Sequence, residues 1–124
     1  MSTSSITTKA GTTALARKTL TSRVRTHPGE ILREDFMIPL GLSANALARA
    51  LNVPPNRISA IIATTAPRGV TPDTALRLAR CFGTTPDFWL NLQQAHDLSL
   101  AEHLSASRIN AEVKILNTSA AAAA

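Results

Sequence analysis

Residues 42–64 read LSANALARALNVPPNRISAIIAT, and this stretch decides the fold that the sequence predicts. Small and apolar residues recur over residues 44–51 at the 3.6-residue period of an amphipathic helix. The same period returns over residues 55–63, after an interruption that contains a proline. The stretch therefore predicts two short helices joined by a tight turn.

The residues at the helix ends favour the same interpretation. Ser43 is a preferred N-cap, because its hydroxyl can accept a hydrogen bond from a backbone N–H of the first turn. Asn52 follows the first helix and is, after glycine, the residue that most readily adopts a positive φ. Pro54 pushes Val53 out of the helical region, and Pro55 suits the first position of the second helix.

The packing pattern narrows the fold further. Ala48 places a small residue where the second helix would cross the first, and Ile58, Ile61 and Ile62 are expected to be buried. The side chains predicted to point outward are Asn56, Arg57, Ser59 and Ala60. This pattern is typical of the helix-turn-helix of phage-repressor-like proteins, whose second helix presents its first turns to base edges in the major groove. A plain helical hairpin with the same apolar spacing is the alternative.

Length and composition limit the class of protein. The chain has 124 residues, of which 44% are apolar and 3% aromatic, so we expect one domain with tails and a mainly aliphatic core. No apolar run approaches the ~18 residues that a membrane span needs, so no membrane partner is expected. Cys81 is the only cysteine, which excludes an intramolecular disulfide and favours a cytosolic location. We expect its side chain to be buried.

Charge is unevenly distributed along the chain. The net charge is +5, and residues 1–26 hold five of the 13 basic residues and no acidic residue. The remaining eight basic and eight acidic residues cancel over residues 27–124, so a folded domain would bind DNA through individual Arg and Asn side chains. We interpret residues 1–26 as a flexible arm. It could be a solubilising extension, a phosphate-tracking arm or a transit peptide.

A repeated start signal predicts the later helices. Thr-Pro-Asp occurs at residues 71–73 and again at 85–87, with Thr as N-cap, Pro in the first turn and Asp at the positive end of the helix dipole. These signals predict one helix over residues 72–82 and another from residue 86 to about 103. The apolar side of the first of these helices is expected to consist of Ala75, Leu76, Leu78, Ala79 and Phe82. An earlier helix is predicted to begin at His27-Pro28.

These elements predict a basic arm (1–26), a folded domain (27–103) and a weakly helical or disordered Ala-rich tail (104–124). Within the domain, Phe88 and Trp89 are adjacent and project about 100° apart on a helix. Both can be buried only if two faces of the helix are covered. We therefore expect Phe88, Trp89 and Leu92 to contribute to dimerisation, with burial in the domain core as the alternative.

Catalytic and metal-binding patterns are weak. His96 and His103 lie seven residues apart on one helical face, with Asp97 and Glu102 nearby, but nothing places a third ligand. The sequence contains no HExxH or CxxC motif and no paired carboxylates at catalytic spacing. We expect no catalytic site, no metal and no cofactor, so the chain is predicted not to be an enzyme.

Three separated motifs make the sequence similar to HigA-type antitoxins. The motifs are HPGEILRE at 27–34 with GLS at 41–43, TALRLAR at 74–80 with FGT at 82–84, and FWLNLQ at 88–93 with HDL at 96–98. Together they cover about residues 27–103 in the order of the family. Members of this family are bacterial helix-turn-helix proteins that pair with HigB-type toxins, which are ribosome-dependent messenger-RNA endonucleases.

The resemblance implies an all-α, five-helix domain that dimerises, represses its own operon at a palindromic operator and neutralises a HigB-type toxin in the cytoplasm. The positions at which the family reads bases are Asn56, Arg57, Ser59 and Ala60. The positions that face the DNA backbone from the first helix of the motif are Ser43, Asn45 and Arg49. We expect Thr64 and Arg68, just beyond the second helix, to contact phosphates as well.

The sequence departs from the family at three places. Pro54 stands where the family often has a polar cap, and His96 stands where Tyr is common. The loop after Ile62 is about two residues longer than usual, which bears on the Arg68 contact. One alternative is a free-standing repressor without a toxin partner. A second, favoured by Pro54 and the longer loop, is a protein-interaction module that has lost DNA binding.

Overall fold

The structure, a computed structural model, describes residues 23–116, so most of the predicted arm and the end of the predicted tail lie outside the described residues. The described chain forms five helices and no strand, which confirms the predicted all-α fold. The helices are α1 (consecutive segments Pro28–Ile31, Leu32–Met37 and Ile38–Leu40), α2 (Ala44–Leu51), α3 (Pro55–Ile61), α4 (Pro72–Phe82) and α5 (Pro86–Glu112). Val24–Leu98 form one compact unit, and the described residues 99–116 belong to a second.

The middle of α1 is a widened turn that the sequence pattern does not predict. Leu32–Met37 is π-helical, and the Ile38 N–H donates to the Arg33 carbonyl five residues earlier. Pro39 follows this segment. It has no N–H, and its ring would clash with the Asp35 carbonyl in a regular α-helix. The wider turn before Pro39 accommodates the proline within α1.

The helices α2 and α3 form the predicted helix-turn-helix. Ser43 Oγ accepts a hydrogen bond from the Ala46 N–H at 3.0 Å, as expected of an N-cap. Asn52 adopts φ 58° and ψ 50°, the left-handed conformation that the turn requires. The second helix ends at Ile61 instead of residue 63, because Ile62 has left the helical region at φ −89° and ψ 3°. Ile62 is half-buried and not fully buried as expected.

Residues from all five helices contribute to the core. Its fully buried aliphatic side chains include Leu32, Leu47, Ile58 and Leu78. Trp89 is also completely buried, and its Nε1 donates to Thr84 Oγ1 at 2.8 Å. The Phe36 ring centroid lies 4.9 Å from that of Phe82 and 5.1 Å from that of Trp89. The aromatic side chains therefore pack together inside the domain.

Two side chains of α4 that were expected to be buried are exposed. Leu76 is 60% exposed, and Cys81 is exposed as well. The positions of α4 that face the core follow the i, i+3, i+4, i+7 pattern from Ala75 to Phe82. Leu76 and Cys81 each neighbour a core position in sequence and project about 100° away from it, so both predictions of burial are wrong.

The last helix is longer than predicted. α5 continues to Glu112, beyond the expected end near residue 103. Residues 104–112 contain no Gly or Pro, and Arg108 pairs with Glu112 across one turn at 3.5 Å. Part of the predicted tail is therefore regular helix. None of the described helices is both long enough and apolar enough to cross a membrane.

Candidate nucleic-acid interface

α3 presents a polar face to solvent and an apolar face to the core. Asn56, Arg57 and Ser59 are exposed and Ala60 is half-buried, whereas Ile58 and Ile61 on the opposite side are 0% and 2% exposed. The exposed face borders an open groove of ≈ 650 Å³. The other walls of this groove include Arg68, Gly69, Thr71 and Thr74. The structure thus brings the four candidate base-reading residues to one surface.

The carboxyl end of α3 packs directly against α1. Gly29 lies so close to the Ile61 carbonyl that a Cβ at position 29 would be 1.9 Å from the oxygen. Arg33 donates from Nη1 to the Ile62 carbonyl at 2.6 Å and places positive charge at the negative end of the α3 dipole. A seven-residue helix such as α3 has little intrinsic stability. Its position is therefore determined by these contacts and by the burial of its apolar face.

Arg57 is ion-paired on the exposed face. Its Nη1 donates to Asp73 Oδ2 at 2.8 Å. Arg77 donates from Nε to the same oxygen at 2.9 Å and from Nη1 to the Leu51 carbonyl at 2.9 Å. The hydrogen bond from Arg77, followed by that from Arg57, lowers the pKa of Asp73. The Nε and Nη2 groups of Arg57 make no hydrogen bond within residues 23–116, so most of its donors remain available to a ligand.

The candidate backbone-contacting residues of the first motif helix lie on a neighbouring surface. Asn45 and Arg49 are exposed on α2 and line a groove of ≈ 400 Å³ with Asn52 and Pro55. Ser43 is exposed too, but its hydroxyl already accepts the N-cap hydrogen bond. That bond uses the hydroxyl oxygen as acceptor, so the Ser43 O–H, like the Asn45 and Arg49 side chains, can still donate to a ligand.

The loop between α3 and α4 separates the two remaining candidate phosphate contacts. Arg68 borders the groove beside Arg57, and its backbone N–H donates to the Ala60 carbonyl at 2.9 Å. Thr64 instead lines a different groove of ≈ 360 Å³, together with His27. The structure brings Arg68, but not Thr64, to the surface that displays the candidate base-reading residues.

His27 caps α1 and is buried. Its Nδ1 accepts a hydrogen bond from the Gly29 N–H at 2.8 Å, while its Nε2 has no hydrogen-bond partner in the described part of the chain. The His96 ring lies edge-on, with 4.9 Å between the ring centroids. Burial, and then His96, lower the pKa of His27, whereas Asp97 and the Arg68 backbone oppose that shift. Among residues 23–116, no three His, Cys, Asp or Glu side chains group closely enough to hold a metal ion.

The three residues expected to contribute to dimerisation differ in exposure. Trp89 is 0% exposed within the chain itself, so it is a core residue and offers no surface to a second copy. Phe88 is 38% exposed and packs edge-on against Trp89 at a centroid distance of 4.9 Å. Leu92 is half-buried. Phe88 and Leu92 therefore remain the predicted contributors, and the dimer itself remains a prediction.

Sequence analysis does not reveal three residues that shape the α3 surface. Asp73 is assigned from sequence only to the helix dipole. Its i, i+4 spacing from Arg77 could have predicted that ion pair. No local pattern, however, connects Asp73 to Arg57, sixteen residues earlier. Gly29 and Arg33 belong to the HPGEILRE motif, but their contacts with the end of α3 depend on tertiary structure.

A family model for the helix-turn-helix matches residues 32–89, which extend from α1 into α5. Among curated proteins, virulence-associated protein I of Dichelobacter nodosus is 58% identical over 76 residues. These residues are 61% of this chain and 68% of that protein. About a third of that relative thus has no counterpart in the match.

Solved structures show that the backbone of this chain is also similar to that of known proteins. One is an addiction module antidote protein of the HigA family from Coxiella burnetii, with 49% identity and a TM-score of 0.69. The match covers 76% of this chain and 100% of that one. Antitoxin GraA in complex with its operator is 47% identical, with a TM-score of 0.71 over 77% of this chain and 94% of that one. Relatives in sequence and relatives in backbone thus each match more than half of the chain.

Proposed function

We propose that this chain, which belongs to the HigA family of helix-turn-helix antitoxins, represses its own operon at a palindromic operator and neutralises a partner toxin. The family assignment is supported by the sequence identity and the shared backbone. The two activities are proposals: DNA binding is supported by this chain's own residues, and toxin neutralisation by the family.

The observation that carries the DNA-binding proposal is the exposed polar face of α3, opposite its buried apolar face. The Arg57 guanidinium can donate to O6 and N7 of guanine, and the Asn56 amide can pair with adenine. Ser59 is suited to a shorter polar contact, and the Ala60 methyl to contact with a thymine methyl. The operator complex of the related GraA supports this use of the fold.

Phosphate contacts would come from the flanking surfaces. Asn45 and Arg49 on α2 and Arg68 in the loop are exposed beside the two grooves that border α3. Residues 27–124 have no net charge, so the domain offers a few placed donors instead of a broad basic surface. We infer moderate salt dependence of binding, with a few phosphates neutralised per copy.

A palindromic operator requires two copies of the chain related by two-fold symmetry. In such a dimer the two α3 helices would lie about one turn of DNA apart, ~34 Å. The exposed part of Phe88 and the half-buried Leu92 offer apolar surface to a second copy. We therefore propose a homodimer in which Phe88 and Leu92 of α5 contact the second copy.

The toxin partner is proposed from the family alone. HigA-type antitoxins pair with HigB-type messenger-RNA endonucleases, and this chain has the HigA backbone at 49% identity. No motif of the chain specifies the contact surface, so we assign no residues to it. The antitoxin itself is proposed to work by binding, without a catalytic site or cofactor.

The DNA-binding proposal is tested with the DNA immediately upstream of the gene that encodes the chain. Footprinting should show protection of a palindrome, and a duplex of that palindrome should bind more tightly than a scrambled duplex of equal length and composition. Equal affinity for the two duplexes would contradict the repressor, and a lack of salt-dependent binding to either duplex would favour the interaction module.

The toxin proposal is tested by co-purification. The chain is tagged at its native locus, together with both flanking reading frames, and its bound partners are identified. A stoichiometric small basic protein whose expression alone stops growth would support the antitoxin. A homodimer with nothing bound would instead support a free-standing repressor.

A further inference from the structure

A series of charge-assisted hydrogen bonds connects the backbone of α2 to the exposed face of α3. Arg77 donates from Nη1 to the Leu51 carbonyl at 2.9 Å and from Nε to Asp73 Oδ2 at 2.9 Å. The same carboxylate oxygen accepts from Arg57 Nη1 at 2.8 Å. Asp73 is therefore held from the α2 side by one arginine and in turn holds the other arginine on α3.

This arrangement orients Arg57 without using up its donors. A guanidinium has five N–H donors in one plane, and Asp73 occupies only Nη1. Fixing one corner of the plane restricts the rotamers of a long side chain before any ligand arrives. Such preorganisation lowers the entropic cost of a base contact.

The carboxylate also distinguishes between two kinds of DNA contact. Asp73 is 56% exposed, and it lies within hydrogen-bond distance of the Arg57 guanidinium. Its negative charge repels a phosphate that approaches the same guanidinium, whereas the neutral edge of a base meets no such repulsion. Orientation and repulsion thus both favour base contacts over phosphate contacts.

We propose that Asp73 is a specificity-determining residue of DNA binding, which positions Arg57 for base readout and suppresses its binding to phosphate. The proposal rests on the proposed DNA-binding function. It predicts that removing the carboxylate weakens discrimination between DNA sequences while non-specific binding becomes stronger.

The chain contains a matched control for this test. Asp87 follows Thr85-Pro86 at the start of α5, as Asp73 follows Thr71-Pro72 at the start of α4. Asp87 is exposed and makes no hydrogen bond or ion pair with the described residues. Asp73→Asn and Asp87→Asn therefore make the same charge change at the same helix position, and only the former removes ion pairs, those with Arg57 and Arg77.

The experiment measures the affinity of each variant for the footprinted upstream duplex and for the scrambled duplex, from about 50 to about 200 mM salt. For Asp73→Asn we expect the ratio of the two affinities to fall about tenfold, within the range of one bidentate base contact. Affinity for the scrambled duplex should rise, with a salt slope steeper by about one. Asp87→Asn should leave the ratio unchanged. Because Asp73 is exposed, thermal unfolding should confirm that both variants remain folded.

Repeating the substitution in an Arg57→Ala background isolates the pair. There Asp73→Asn should no longer change the ratio, because Asp73 acts through Arg57. An unchanged ratio in the single variant, an equal change in Asp87→Asn, or a persistent effect without Arg57 would each overturn the inference. If the wild type itself does not discriminate between the duplexes, the proposed DNA-binding function fails, and this inference fails with it.

Discussion

The two functional regions of α3 are held by different kinds of interaction. At its carboxyl end, the Ile61 carbonyl touches the backbone of α1 at Gly29, and the Ile62 carbonyl accepts a hydrogen bond from Arg33. On its exposed face, Arg57 reaches α4 only through an ion pair with Asp73. The side chains of that pair are 40% and 56% exposed.

The contacts at the carboxyl end therefore position α3 in the fold, whereas the exposed face is available to recognise DNA. A close backbone contact cannot be rearranged without moving a helix, so substitutions at the carboxyl end should lower the free energy of unfolding. An exposed ion pair contributes at most about 1 kcal/mol to stability and can exchange partners. Substitutions on the exposed face should therefore change DNA binding and leave unfolding almost unaffected.

The largest expected effect is that of Gly29→Ala. The added Cβ would lie 1.9 Å from a backbone oxygen, so α1 and α3 would have to move apart. We expect a loss of about 3 kcal/mol or more in the free energy of unfolding, measured by urea denaturation. Gly69→Ala is the matched control, because the atom nearest to its Cβ would be a side-chain atom of Gln93 at 3.3 Å and not a backbone oxygen. Similar losses in the two variants would show that the contact with α3 is not the cause.

Arg33→Met tests the hydrogen bond to the same end of α3. Methionine keeps most of the apolar stem but leaves the Ile62 carbonyl without its 2.6 Å donor. Loss of a charged hydrogen bond should reduce the free energy of unfolding by about 1.5–3 kcal/mol. Arg80→Met provides the comparison, since Arg80 is exposed and makes no hydrogen bond or ion pair with described residues. A loss above about 0.5 kcal/mol for Arg80→Met would undermine that interpretation.

Arg57→Ala tests the exposed face. We expect it to weaken binding to the footprinted palindrome by about 1–3 kcal/mol and to relax the preference at one base pair. Titration of duplexes with single base changes measures both effects. Arg80→Ala, which also removes one positive charge, should not change sequence preference. Equal losses of Arg57→Ala on palindrome and scrambled DNA would contradict a base-reading role.

The smallest expected effect is a pH dependence at the start of α1. Since burial lowers the pKa of His27 below its ordinary value of 6.5, the unfolded chain binds this proton more readily than the folded one. Stability from this group is thus complete above about pH 6.5 and falls as the pH drops from there towards the folded pKa.

Unfolding midpoints at about pH 7.5 and about pH 5.5 measure this loss. His27→Asn is the control, because asparagine can also cap a helix but does not titrate in this range. The variant should lose less stability than the wild type on acidification. An identical loss would show that His27 is not the titrating group.

The sequence predictions were accurate where the interactions join residues close together along the chain, and less accurate where they depend on tertiary packing. The starts of α2, α4 and α5 agree with the structure, because Ser43, Thr71 and Thr85 accept hydrogen bonds from N–H groups three residues later. The end of α5 was predicted near residue 103. Residues 104–112 contain no Gly or Pro that would stop a helix, and α5 continues to Glu112. The burial of Leu76 and Cys81 was also wrong, since an apolar side chain beside a core position need not face the core.

In the candidate site, too, local features could be predicted and tertiary contacts could not. That Asn56, Arg57 and Ser59 are exposed could be predicted, because the buried Ile58 and Ile61 define the opposite face of the helix. Trp89, expected at a dimer contact, is buried instead within its own chain. The ring of Phe36 in α1 packs against Trp89, and the sequence alone does not predict that contact.

The sequence by itself determined the helix-turn-helix and the all-α fold, because caps, prolines and positive φ act within a few residues along the chain. Only the tertiary structure decided how α3 is held and which partner Arg57 has. Arg57 and Asp73 are 16 residues apart, and Arg33 and Ile62 are 29 apart. Such pairs meet only after the helices have packed, so no local pattern specifies them.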